Sequence, residues 1–112
     1  MFKPGTIILT PFPFSNLAKS KVRPALIISQ EDSRLNAVIV CFITSNPKIG
    51  KHAVRIEKSP QTGLKISSVV RFDKIATLEK NIILGELGKV DDNFFQKYQQ
   101  NFFDVFAFTK LL

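Results

Sequence analysis

Arg23 and Thr44 are the residues of this chain best suited to chemistry on a phosphate. Arg23 lies in Lys21-Val22-Arg23-Pro24-Ala25-Leu26-Ile27-Ile28-Ser29, where a basic cluster meets a strand signal through an Arg-Pro step. Proline fixes its own φ and biases the residue before it towards an extended backbone. Arg23 is therefore expected at the mouth of a rigid strand. A guanidinium held there can grip a phosphate through two parallel hydrogen bonds. Taken alone, it is equally well a solvated arginine before a core strand. Thr44-Ser45 closes the apolar stretch 37–44, and taken alone it is a strand-end hydrogen-bonding pair. Topology is what joins the two. Strands linked by a short turn are expected to be antiparallel neighbours, with the start of one beside the end of the next. Loops 15–22 and 45–52 would then flank Arg23 and Thr44 and supply Lys19, Lys21, Lys48 and Lys51. A cation, a hydroxyl and a ring of lysines suit a phosphodiester. Lys74, Lys80, Lys89 and Lys97 are expected to contribute less to such a groove.

Other chemistries lack their residues. The chain has 112 residues with one histidine, His52, and one cysteine, Cys41. No histidine pair can share acid and base work, and no metal-ligand spacing or glycine-rich phosphate loop is present. No metal or cofactor is expected. Asp91-Asp92 is better explained as a helix start. Cys41, inside an apolar run, reads as a small buried hydrophobe.

Charge sharpens the picture. The net charge is +7. Residues 1–65 carry ten Lys and Arg against three Asp and Glu, whereas residues 66–112 carry six of each. The whole excess lies in the first part, which points to a polyanionic partner. The longest apolar run, 37–43, has seven residues; a bilayer span needs about 20. The first residues lack the apolar core of a signal peptide, so a cytoplasmic location with no membrane role is expected.

The elements that must position these groups follow from periodicity and turn residues. Strands are expected at 6–10, 25–29, 37–44, 53–57, 67–72 and 82–87, with a link at 73–81. Val90, Phe94, Phe95, Tyr98, Phe102, Val105 and Phe106 recur at helical spacing. They predict one helix over 92–110, capped by Asp91 or Asp92. The expected architecture is one domain over 1–112: mainly β, a small bent antiparallel barrel closed by a C-terminal helix. Eleven Phe and one Tyr are many for this length, and some are expected at a subunit interface.

The ordered motifs resemble the MazF/PemK-like toxins of bacterial type II toxin–antitoxin pairs. The resemblance rests on Pro4-Gly5-Thr6-Ile7-Ile8-Leu9 leading to Pro11-Phe12-Pro13-Phe14-Ser15, on Arg23-Pro24-Ala25-Leu26-Ile27-Ile28-Ser29, and on Ile43-Thr44-Ser45. Gly63-Leu64 with Ser68-Val69-Val70, and Ile75-Ala76-Thr77-Leu78 before Gly88-Lys89-Val90, extend it over nearly the whole chain. It implies an SH3-like barrel of the CcdB/PemK-like kind and a homodimer. It also implies metal-independent, sequence-selective cleavage of single-stranded RNA to 2′,3′-cyclic phosphate and 5′-hydroxyl ends. Under it Arg23 and Thr44 are the catalytic residues, and Phe14, Ser15, Lys19, Lys21, Ser45, Lys48 and Lys51 are the RNA-binding candidates. A cognate antitoxin with an acidic C-terminal tail is the implied partner, with DNA binding in its company. Asn16 and Ala76 depart from residues common in the family, Asp and Arg respectively, which bears on sequence preference. A non-catalytic, gyrase-binding toxin like CcdB, or an inactive nucleic-acid-binding barrel, is the alternative on the same fold.

Overall fold

The computed structural model describes residues 2–12, 21–46 and 50–108. Six strands and one main helix follow in order: β1 Thr6–Pro11, β2 Val22–Ile27, β3 Ala37–Thr44, β4 Ala53–Ile56, β5 Ser68–Glu79, β6 Gly85–Lys89 and α1 Phe94–Phe103. They form a single antiparallel sheet in the order β4-β5-β3-β2-β1-β6. The sheet curls into a half-barrel with β4 and β6 at its edges, as a mainly β fold with a C-terminal helix requires. Among the described residues, no helix is long and apolar enough to cross a membrane.

Strand alternation divides the core in two. Side chains on a strand point to opposite faces with period two. Ile7, Leu26, Cys41, Ile43, Val70 and Phe72 are buried on the face that α1 covers. Ile8, Ala25, Ile27, Val40, Phe42 and Leu78 are buried on the other, where Phe2, Phe12 and Ile83 also pack. The central strands thus read as near-continuous apolar runs because both faces are covered. Cys41 is fully buried, and burial pushes its thiol up to about 12, so it packs as a hydrophobe.

The helix supplies the aromatic lid of the first face. Phe94 packs against Phe72 at 6.4 Å between ring centroids, Phe102 against Phe72 at 5.7 Å, and Tyr98 against Phe94 at 4.9 Å. It is shorter than the expected 92–110. Asn93 occupies the N-cap with no side-chain hydrogen bond, so neither aspartate caps the helix; Phe94 N–H instead donates to the Asp91 carbonyl at 3.0 Å. At the far end Val105 and Phe106 N–H donate three residues back, to the Phe102 and Phe103 carbonyls at 3.1 and 3.0 Å, tightening the turn and ending the α-helix.

Other boundaries differ from expectation, among them the last strand, expected at 82–87 and found at Gly85–Lys89. β2 begins at Val22, so Arg23 lies inside the strand, paired with Thr10 of β1. The expected link at 73–81 is instead mostly strand: β5 runs twelve residues through Asp73 and Lys74. Their charges resemble a loop, but they mark a bulge. Beyond β5 a 3-10 turn, Lys80–Ile82, leads to β6. Gly88 lets the turn before β5 approach β6, since a Cβ there would lie 2.2 Å from the Gln61 carbonyl oxygen.

Candidate active site

The β2–β3 ladder ends at Ala25 opposite Phe42, one residue short of Pro24. Proline offers no N–H for a ladder, so the strands part there. Extending the same register by two residues sets Arg23 opposite Thr44. Arg23 is still held on its other side by the pairing with Thr10. Its backbone is fixed while its side chain reaches past the end of the β2–β3 ladder. Both side chains line one cleft of about 400 Å³, together with Phe12, Phe42, Asn46, Arg71 and Lys74.

The β5 bulge explains the two further cations. β5 pairs with β3 in one register at Cys41↔Ile75 and in another at Ile43↔Val70. Extended by one residue from either side, these registers set both Arg71 and Lys74 opposite Phe42. Phe72 turns into the helix-side core, 2% exposed, and Asp73 turns outwards. A bulge of this kind re-aims side chains. Here it presents two basic groups to the face that already carries Arg23 and Thr44.

Local contacts orient these groups. The Thr44 Oγ1 accepts from Asn46 N–H at 3.2 Å, which leaves the hydroxyl proton to be donated elsewhere. Arg71 is gripped by Asp73 through Nε at 3.1 Å and Nη2 at 2.7 Å. That hydrogen-bonded pair holds the Asp73 carboxyl below, and the Arg71 guanidinium above, their ordinary ranges. Arg23 Cζ lies over the Phe12 ring, 5.8 Å from its centroid, and Lys74 Nζ lies over the same ring at 5.1 Å. Among the described residues, three cations and no carboxylate line the cleft. That lining charge suits an anion.

The structure gathers only some of the residues chosen from sequence. Arg23 and Thr44 share the cleft. Ser45 faces a second, more apolar crevice of about 370 Å³ beside Val22, Pro24 and Ile66, which Arg23 also lines. Lys21 and Lys51 are exposed near the cleft, Lys51 directly after its lining residue Gly50 and Lys21 two residues before Arg23, but neither lines it. Phe14, Ser15, Lys19 and Lys48 lie outside the described residues. Lys74, expected to contribute less, is in the cleft, and Arg71 was not among the candidates at all. The only sequence signal for either is a charge at the end of the strand expected at 67–72, Arg71 just inside it and Lys74 just beyond. No three His, Cys, Asp or Glu side chains gather to hold a metal among the described residues.

A model of the family described as PemK-like, MazF-like toxin of type II toxin–antitoxin system matches residues 3–106. The chain belongs to this family. Among curated proteins it is similar to one named "Probable endoribonuclease MazF" from Mycolicibacterium smegmatis, with 32% identity over 72 residues. That match spans 62% of this chain and 66% of the relative, just under two thirds of the relative's length. Solved MazF structures share the fold. The Mycobacterium tuberculosis toxin MazF-mt6 superposes with a TM-score of 0.72 at 22% identity, covering 89% of this chain and 94% of that one. MazF from Deinococcus radiodurans gives 0.71 at 18% identity, covering 91% and 93%. A mycobacterial endoribonuclease solved in complex with its cognate antitoxin gives 0.70 at 18% identity, covering 91% of each chain.

The Arg71–Asp73 pair carries a pH signature. Because the folded carboxyl titrates below its unfolded value, the pair's contribution is present above the ordinary aspartate range and is lost as pH falls through the lowered value. Carboxyl NMR titration should find Asp73 below the ordinary ~3.9. Arg71→Gln should return it to that range. An unchanged titration in Arg71→Gln would show that the pair does not hold the cleft's guanidinium in solution.

Proposed function

We propose that this MazF/PemK-like chain is an endoribonuclease toxin that cleaves single-stranded RNA, with Arg23 and Thr44 as its catalytic residues. The observation that carries the reading is the meeting of Arg23 and Thr44 across parted strand ends, in a cleft whose other charged lining residues are Arg71 and Lys74. The relative named an endoribonuclease supports the same reaction class. The cationic lining favours a phosphodiester over the purely protein-binding role of a non-catalytic toxin.

The chemistry needs no outside nucleophile. A ribose 2′-hydroxyl loses its proton to solvent as its oxygen attacks the adjacent phosphorus, the P–O5′ bond breaks, and the leaving 5′-oxygen takes a proton from solvent, giving a 2′,3′-cyclic phosphate and a 5′-hydroxyl. The enzyme's task is to hold the backbone in line and to stabilise charge on the phosphorane. Arg23 offers fixed positive charge and hydrogen bonds to the phosphoryl and leaving oxygens. Its guanidinium keeps its proton, so it acts as a donor and not as a base. Thr44 donates its hydroxyl proton to a non-bridging oxygen. Drawn this way the reaction uses no metal and no cofactor. Lys21 and Lys51, with Lys19 and Lys48 of the same loops, Phe14, Ser15 and Ser45, hold the strand on either side of the scissile bond, and its sequence preference is set there.

Arg23→Ala and Thr44→Ala should each lower cleavage by on the order of 10²–10³ while leaving the melting temperature near wild type. Wild-type cleavage should survive excess EDTA. Near-wild-type rates in both variants would refute the site assignment, and loss on chelation restored by Mg²⁺ would refute the metal-free route.

RNA affinity should fall steeply as salt rises, because binding releases counterions from the phosphates. Measured with 2′-deoxy oligonucleotides that cannot be cut, Lys21→Gln, Lys51→Gln and Lys74→Gln should each lower the salt slope by about one. Lys89→Gln and Lys97→Gln should leave it unchanged. Equal effects from both groups would place the RNA elsewhere.

The reading extends to a homodimer regulated by a cognate antitoxin whose acidic tail competes for the cationic cleft. Sedimentation at micromolar concentration should give a dimer, and a cognate antitoxin tail peptide should displace bound oligonucleotide. A monomer would remove the first part. An antitoxin that inhibits without displacing the oligonucleotide would remove the second.

A further inference from the structure

We propose that Phe12 is a positioning residue, an aromatic platform that holds the Arg23 guanidinium and the Lys74 ammonium against one ring. The inference rests on the phosphodiester reading of the cleft and adds a part that reading did not contain. Phe12 follows β1, and its N–H donates to the Lys21 carbonyl at 2.7 Å, extending the β1–β2 pairing beside Arg23. Its ring stands edge-on to that of Phe42, with centroids 5.1 Å apart and planes at 85°. Phe42 is 3% exposed and belongs to the core, so the platform has a rigid support. The Arg23 and Lys74 charges lie over the Phe12 ring at 5.8 and 5.1 Å from its centroid.

Two like charges gathered at one side chain repel. An aromatic face offers both of them its negative quadrupole, which no aliphatic side chain can do. The ring therefore does more than fill space. It sets where Arg23 points before substrate arrives, and it brings an ammonium from β5 next to a guanidinium from β2. That matters most for the transition state, whose charge Arg23 must meet without first reorganising. The consequence is that activity should follow the presence of an aromatic face at position 12, not the volume of the side chain.

Phe12→Leu keeps an apolar side chain of similar bulk and removes the ring. It should lower kcat about tenfold with KM changed by less than about twofold, while Phe12→Tyr, which keeps the face, should stay within about twofold of wild type. NMR supplies a second readout that needs no catalysis. The side-chain protons of Arg23 and Lys74 should be shifted upfield by the ring in wild type, and should return to ordinary positions in Phe12→Leu. If Phe12→Leu keeps its kcat, or Phe12→Tyr falls with it, or the upfield shifts are absent, the platform role is overturned. If wild type cleaves no RNA, the RNA reading itself fails. The NMR comparison then decides the platform alone: shifts present in wild type and lost in Phe12→Leu uphold it, and their absence overturns it.

Discussion

β5 cannot follow β3 in one register along its whole length. Phe72 is committed to the helix-side core beneath Phe94 and Phe102, while Leu78 is committed to the opposite face. Six residues separate them, and unbroken alternation would put both on the same face. The register jump between Ile43↔Val70 and Cys41↔Ile75 resolves the conflict. Each half of the strand can then bury its own hydrophobe. A ring like that of Phe72 is worth several kcal/mol to a core, ~3–5 when cut to alanine. The bulge is therefore held by packing on both sides, and the cations it presents are held with it.

The cleft is in this sense a by-product of core burial made useful by charge. Arg71 and Lys74 come from the bulge, Arg23 from the end of β2, Thr44 from the end of β3. None of these elements is a long loop. The Arg71–Asp73 pair adds little to stability, since both side chains are 39% exposed and water screens them. Its effect is geometric: a bidentate grip leaves the guanidinium few orientations. Phe12 does the same for Arg23 and Lys74 through its ring.

Legibility in the sequence follows the same physics. Arg23 could be found because proline constrains its neighbour locally and the strand after it is strongly apolar. Thr44 could be found because the eight-residue β3 ends where its apolar run ends. Their meeting needed only the antiparallel rule for strands joined by a short turn. The strand expected at 67–72 is the first part of β5, but its full length was not legible, because Asp73 and Lys74 interrupt the apolar pattern and imitate a link. A bulge shifts the phase of a strand, and phase is all that a period-two pattern records. Pairing registers depend on partners distant in sequence, so the two cations facing Phe42 could not be placed from β5 alone. The helix was legible in its aromatic spacing but not in its length, because its end is set by three-residue hydrogen bonds at residues 102–106.

Charge in the cleft also constrains what the free protein can tolerate. Arg23, Arg71 and Lys74 converge in the cleft, with the Asp73 carboxylate bound to Arg71. Gathering them costs electrostatic energy that the fold offsets in part with the Asp73 carboxylate and the Phe12 ring. A bound phosphate would relieve the rest, and so would a carboxylate-rich peptide. Under the proposed function, repulsion among these cations would add to the affinity for either polyanion. Substrate and acidic inhibitor would draw on the same term, which is why occupying the cleft with one should weaken the hold on the other without any change in the fold.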